Sequence, residues 1–259
     1  CIFSSFLSFM NKVEHRLFAD IARGKTTSSL KSSYLKKFKI TARHFNSVRV
    51  GLDGKISSIK EQQKELIVAQ KTRISSLEAT IKKLKKKDVD PRLLHQKKRR
   101  LATLKARLQS KEKDLLLGKV GLCFGTRKRF RGQFDLEANN YTSHSEWKKD
   151  WEDARSESFF LIGSKDETAG NQSCVASLEG DSLSLRIRLP DALSKHGKYL
   201  IIKKIKFAYG QEAIVAALFS ETRIALSYRF IRDHKGWKVF VTVPVVKSPQ
   251  VTCQGIGVV

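Results

Sequence analysis

The residues with most chemistry to offer in this 259-residue chain are its cations. Arg127-Lys-Arg-Phe-Arg131 sets four of them around one aromatic ring. That grouping suits gripping a phosphate backbone while Phe130 or an arginine stacks on an exposed base; the plain alternative is a basic loop with Phe130 buried in a core. A larger concentration runs from Lys71 to Lys113, where 16 Lys or Arg stand against the four acids Glu78, Asp88, Asp90 and Glu112. Alternating signs would suffice to solvate a helix, yet Lys82, Lys83, Lys85, Lys86, Lys87, Lys97, Lys98, Arg99 and Arg100 are nearly all of one sign. Each phosphate such a run neutralises releases counterions, which supplies affinity without reading bases and makes it fall steeply with salt.

Groups able to make or break bonds are scarce. Asp150, Asp153 and Glu157 share a predicted helix with Trp147 and Trp151 but alternate with Lys148, Lys149 and Arg155, as an exposed face does. Histidines at 15, 44, 95, 144, 196 and 234 and cysteines at 1, 123, 174 and 253 have no metal-ligand spacing, so no metal is expected, and the thiols read as reduced. Neither a Gly-rich phosphate loop nor a GxSxG elbow occurs. The net charge of +26 and pI near 10.1 then dominate, and they point to a polyanion, with an anionic membrane as rival. Against the membrane, the stripe opposite the charges is Leu and Ile at heptad spacing, better suited to a partner helix. No apolar run approaches the roughly 20 residues of a membrane span. The opening Cys1-to-Met10 lacks the basic flank and cleavage site of a signal peptide. Both ends look cut: the chain starts without Met and stops on Ile256-Gly-Val-Val259.

The elements that must position these residues are an α+β arrangement changing texture near residue 118. Periodicity predicts helices over 1–23, 28–38, 41–87 and 91–117. Thr41 is the N-cap of the third, and its inward stripe is Phe45, Val48, Leu52, Ile56, Ile59, Leu66 and Ile67. Ile74, Leu77, Ile81 and Leu84 face Leu94, Leu101, Leu104, Leu108 and Leu115 across a basic helical hairpin, broken by Asp88-Val-Asp-Pro91. After Gly118, strands are expected at 120–124, 158–162, 182–189 and 199–209, and at 223–231 paired with 237–246. Helices are expected from Ser143 or Ser145 and over 211–220, with an irregular loop from Gly163 to Cys174. In Ser182–Leu189 the alternation is strict, Leu183, Leu185, Ile187 and Leu189 against Ser184, Arg186 and Arg188. Together these predict a helical region over 1–118 and a mostly antiparallel, oligonucleotide-binding-like β-barrel with short helices over 119–250. For Arg186, Arg188, Lys203, Lys204 and Lys206 two readings stand, an extension of the basic surface or cations that exposed strand positions carry for solubility alone.

Several stretches taken together resemble the N-terminal half of the TnpB (OrfB) proteins of insertion sequences, RNA-guided relatives of type V CRISPR effectors. They are Ile40-Thr-Ala-Arg-His-Phe-Asn46, Leu122-Cys-Phe-Gly-Thr-Arg-Lys128, Phe134-Asp-Leu-Glu-Ala-Asn139, Phe159-to-Cys174 and Arg188-Leu-Pro-Asp-Ala-Leu193 with Gly197-Lys-Tyr-Leu200. The resemblance implies a helical recognition domain inserted in a wedge barrel, with 251–259 opening a RuvC-like nuclease domain that is itself missing. The family's first barrel strand is also missing, and the chain stops before the first metal-binding Asp. Catalysis and its Mg2+ therefore belong to the family and not to these residues, and no cofactor is assigned. The implied partners are guide RNA and target DNA, in a prokaryotic cytoplasm near the nucleoid, with sequence chosen by base pairing. Lys83, Lys86, Arg99, Arg100 and Arg107 are expected on the RNA or heteroduplex backbone, and Arg127, Lys128, Arg129 and Arg131 on the guide scaffold. Arg43, Asn46 and Arg49 are expected at the target-adjacent duplex motif, and Lys165, Asn171 and Gln172 on RNA. The competing reading is a basic, ribosome-associated RNA-binding protein without a nuclease.

Overall fold

The structure, a computed structural model, describes residues 2–86, 90–220 and 224–243. These form two compact units that divide between Glu157 and Ser158. The change of texture near residue 118 is therefore not the boundary between units. The segment 119–157 closes onto the first helix instead, with Phe124 against His15 at 3.8 Å and Phe18 at 5.8 Å between ring centres.

In the first unit, α1 (Ile2–Ala22) buries Phe6, Leu7, Met10, Val13 and Leu17, whose spacings of one, three, three and four keep them on one helical face. Its buried carboxylates are partnered: Glu14 takes Lys55 at 2.6 Å, and Asp20 accepts from the Tyr34 hydroxyl at 2.7 Å. The Tyr34 hydrogen bond, with Lys25 and Arg16 nearby, holds the Asp20 carboxyl below the usual carboxylate range. Thr26 caps α2 (Thr27–Phe38), whose Tyr34 meets Phe45 edge-on at 5.8 Å. α3 (Ala42–Leu84) starts in a capping box, Thr41 accepting from the His44 backbone while the His44 ring accepts from the Thr41 backbone. The helix continues through Gly51 and Gly54 with Phe45, Val48, Leu52 and Ile67 buried; Leu66, expected inward, is 52% exposed, because Ile67 and not Leu66 lies on the stripe that continues through Ile74 and Ile81. Asp90 caps α4 (Pro91–Leu116), and Pro91 occupies its first turn.

No strand forms over 120–124. A strand needs a ladder partner, and these residues instead insert Leu122, Cys123 and Phe124 as half-buried side chains before Gly125 turns the chain at φ 84°. The expected loop at Arg127 is a short helix, α5 (Arg127–Arg131), capped by Thr126, and α6 (His144–Arg155) follows, capped by Ser143.

The second unit contains two three-stranded antiparallel sheets and no closed barrel among the described residues. The first orders β1 (Ser158–Leu161), β5 (Ser227–Asp233) and β6 (Gly236–Thr242); the second orders β2 (Cys174–Glu179), β3 (Ser182–Arg188) and β4 (Tyr199–Ile205). Leu183, Leu185, Ile187 and Leu189 are all buried, as their alternation requires. Phe159, Leu161, Tyr228 and Phe230 form the buried face of the first sheet. α7 (Gln211–Leu218) contributes Ile214 and Ala217. Asn171 joins the sheets: its amide nitrogen donates to the carbonyls of Leu161 at 3.3 Å and Leu226 at 2.9 Å, while its oxygen accepts from Ser173 and Cys174 at 2.9 and 3.0 Å. One side chain thus ties the end of β1, the approach to β5 and the start of β2. The expected RuvC-like opening at 251–259, Arg223 and the end of the last strand past 243 lie outside the described residues.

Candidate nucleic-acid interface

α3 and α4 pack along a seam of alternating three- and four-residue spacing. On α3 it comprises Ile67, Gln70, Ile74, Leu77, Ile81 and Leu84, and on α4 Leu94, Lys97, Leu101, Leu104, Leu108, Lys111 and Leu115. Gln70 Nε2 donates to the Leu104 carbonyl at 3.2 Å, and ion pairs Lys71–Glu112 at 2.8 Å and Lys105–Glu78 at 2.7 Å fix the antiparallel register. No residue of α4 is fully buried, and two seam positions are half-buried lysines whose stems can pack while the ammonium reaches water. The hairpin arm is therefore a thin, wet pairing of two basic helices.

Among the described residues from Lys71 to Lys113, the acids are all engaged. Glu78 and Glu112 are taken by Lys105 and Lys71, and Asp90 caps α4 by accepting from the Arg92 backbone at 2.8 Å. Lys83, Lys86, Arg99, Arg100 and Arg107 are exposed and meet no carboxylate among the described residues. Arg92 and Arg99 are seven apart on the back of α4, and Arg100 and Arg107 seven apart on its flank, a repeat of about 10 Å along the helix. An elongated polyanion meets cations at regular intervals along such a face.

The α5 cations divide. Arg129 turns inward to Asp150 at 3.2 Å and Glu157 at 3.7 Å, and its carbonyl accepts from Trp147 Nε1 at 2.7 Å. Arg127, Lys128 and Arg131 stay exposed. Phe130 is 39% exposed, edge-on to Phe134 and 5.5 Å from Trp151, so it is not a core residue of a barrel. Asp150 also accepts from the Tyr141 hydroxyl at 2.7 Å, which gives that acid a structural role.

Beside α5 the rings and cations stack in series: Trp147 on Trp151 at 5.3 Å and 14°, then the Arg155 guanidinium 4.0 Å from the Trp151 ring. Arg155 Nη1 lies 3.2 Å from His15 Nδ1. Because a guanidinium only donates, Nδ1 accepts and the imidazole carries its proton on Nε2. Burial, then Arg155 and Lys55, drive the His15 pKa down to about 4. The unfolded chain thus takes up a proton at this imidazole between pH 6.5 and about 4 while the folded chain does not, so stability falls as pH falls through that window. The loss is roughly 1–2 kcal/mol, the ring being part-exposed. Urea midpoints measured across the window should converge for His15→Gln, and parallel declines of both proteins would contradict the assignment. Trp151 and Arg155 at i and i+4 were open to a reading of the helix alone, whereas His15, 140 positions away, was not.

In the second unit the Gly163-to-Cys174 segment places Lys165 and Gln172 at the surface, but Asn171 is fully buried with its amide committed to four backbone groups. Asn171 is therefore no surface donor. Arg186 and Arg188 approach the exposed Tyr199 ring at 4.9 and 5.8 Å, and Arg188 also binds Asp191 at 2.6 Å. In the first unit, Arg43, Asn46 and Arg49 are half-buried on the first turns of α3, with Arg49 paired to Asp53 at 3.1 Å. Among the described residues no group of three His, Cys, Asp or Glu is placed to hold a metal ion, and no helix is long and apolar enough to cross a membrane. No protein-family model, curated protein or solved structure matches the chain.

Proposed function

We propose that this chain is the nucleic-acid-binding portion of a TnpB-type RNA-guided DNA endonuclease, holding guide RNA, heteroduplex and the duplex next to the target. The observation that carries the reading is the α3–α4 arm, where Glu78, Asp90 and Glu112 are taken by internal contacts while Lys83, Lys86, Arg99, Arg100 and Arg107 face solvent and meet no carboxylate among the described residues. In this reading the arm grips by shape and charge, and base pairing supplies sequence. Arg127, Lys128 and Arg131 take the guide scaffold, with Arg129 supporting them from its pairs to Asp150 and Glu157. The two small sheets stand in for the wedge, presenting Lys165 and Gln172 to RNA, and Arg43, Asn46 and Arg49 serve the duplex motif. Cleavage is assigned to a RuvC-like domain of the same polypeptide, with its Mg2+, and to no residue described above.

Purification with and without RNase tests the reading. A discrete short RNA that co-purifies, with log affinity falling linearly in log salt, is the expected result. Ribosomal RNA in its place would favour the ribosome-associated alternative. Absence of any RNA together with a flat salt dependence would remove both.

A further inference from the structure

Between α1, the 121–124 segment, α5 and α6, all within the first unit, lies a cavity of about 470 Å³. Its walls combine Phe124, Phe130 and Trp151 with Arg127, Arg131 and Arg155, and none of its lining residues is acidic. We propose that this cavity holds a single unstacked nucleotide of the bound nucleic acid, its base against Phe130 and Phe124 and its phosphate on Arg127 and Arg131. The inference rests on the nucleic-acid reading above and adds the subsite that reads one residue of the strand.

Three features support a planar anion over a simple one. First, the volume lies within the range of about 300–1,000 Å³ typical of small-molecule sites, where a bare phosphate would leave most of the space and the aromatic walls unused. Second, the cations are of two kinds. Arg155 is engaged by Glu152 at 3.4 Å and by the Trp151 face, so it serves as a fixed flat wall. Arg127 and Arg131 are exposed and meet no carboxylate among the described residues, so their charge is available to a ligand. Third, the wall contains two ring N–H groups, Trp151 Nε1 and His15 Nε2, that are buried with no hydrogen-bond partner among the described residues. A base edge rich in acceptors supplies what those donors lack, and His15 stays an uncharged donor because its imidazolium is suppressed. Base stacking on aromatic and guanidinium planes tolerates any base, so the site selects an extruded nucleotide before it selects a sequence.

The test uses the full chain with Trp237→Phe, which leaves Trp147 and Trp151 as the fluorescent reporters. It is titrated with ribonucleoside 5′-monophosphates, with inorganic phosphate, and with a single-stranded RNA. Saturable quenching by the monophosphates and not by phosphate is expected. Phe130→Ala should weaken it about tenfold, since Phe130 is exposed enough to be truncated without unfolding the unit. Arg127→Ala provides a second variant at an exposed position and should weaken the monophosphates similarly. Quenching by phosphate alone, or titrations unchanged by both variants, would overturn the pocket. RNA binding without monophosphate binding would sink the pocket and leave the nucleic-acid reading standing. Monophosphate binding without RNA binding would support the pocket and sink that reading.

Discussion

Gly170→Ala is expected to destabilise the second unit by roughly 3–5 kcal/mol. A Cβ built there falls 2.1 Å from the Ile224 carbonyl oxygen and 2.9 Å from the Leu226 nitrogen, and Gly170 sits at φ 71°, where a side chain is already strained. The obstacle is backbone, which cannot rotate aside as a side-chain tip does. The two segments of chain must part, and the Gly170 carbonyl then loses the amides of Ser164 at 3.0 Å and Leu226 at 3.1 Å. Gly163 on the facing segment is as tight, its Cβ position 2.2 Å from the Leu226 oxygen and 2.3 Å from that of Gly170. Asn171 lies in the same knot, and truncating it would leave the Ser173 and Cys174 amides and two carbonyls buried without partners. Orphaning such groups costs about 1–3 kcal/mol each when they cannot reach water, so a loss of roughly 3–5 kcal/mol is expected for Gly170→Ala and for Asn171→Ala alike. Gly180→Ala is the comparison: Gly180 also has positive φ, 60°, but nothing lies within 4 Å of its Cβ position, so only about 1 kcal/mol of backbone strain is at stake. Amide hydrogen exchange in β1, β2 and β5 reports the difference. Equal protection in Gly170→Ala and Gly180→Ala would show that the knot does not hold the two sheets together.

Substituting Lys83, Lys86, Arg99 and Arg100 together by glutamine should weaken RNA binding about a hundredfold or more and flatten its salt dependence. Each phosphate left without its cation lowers the log–log slope by about 0.7 on a single strand, so four remove nearly three units of slope. Glutamine keeps helix propensity, and none of the four joins the seam, so thermal stability should stay within about 1 kcal/mol of the parent. The control carries the same change in net charge on the same unit, at the exposed Lys12, Lys31, Lys36 and Lys37 of α1 and α2. If binding fell equally in both proteins, affinity would follow net charge and the arm would have no special place in it.

The first four helices of the first unit were legible because the signals that build each of them are local. A three-four spacing, a Thr cap, an Asp-Val-Asp-Pro break and a run of one-signed residues each act within a few positions, and helices α1 to α4 followed. β3 was legible for the same reason, its alternation surviving as burial of Leu183, Leu185 and Ile187. The 120–124 segment misled, since β-branched and aromatic content says that residues suit a ladder and not whether a ladder partner exists. The barrel misled similarly: six strands were compatible with closure, and the pairing β1-β5-β6 and β2-β3-β4 is decided by contacts between distant residues.

For the site, the sequence alone determined where positive charge accumulates, because charge is a property of residue type. Only the tertiary structure decided which charges remain available. Asp150 and Glu157 claim Arg129, Lys71 and Lys105 claim Glu112 and Glu78, and Arg155 is flattened between Trp151 and His15. It also turned Asn171 from a loop donor into the joint between two sheets, since its four hydrogen bonds reach backbone as far away as Leu226. Whether a polar group meets water or another polar group depends on what the fold brings within about 3 Å of it, and spacing along the chain does not contain that distance.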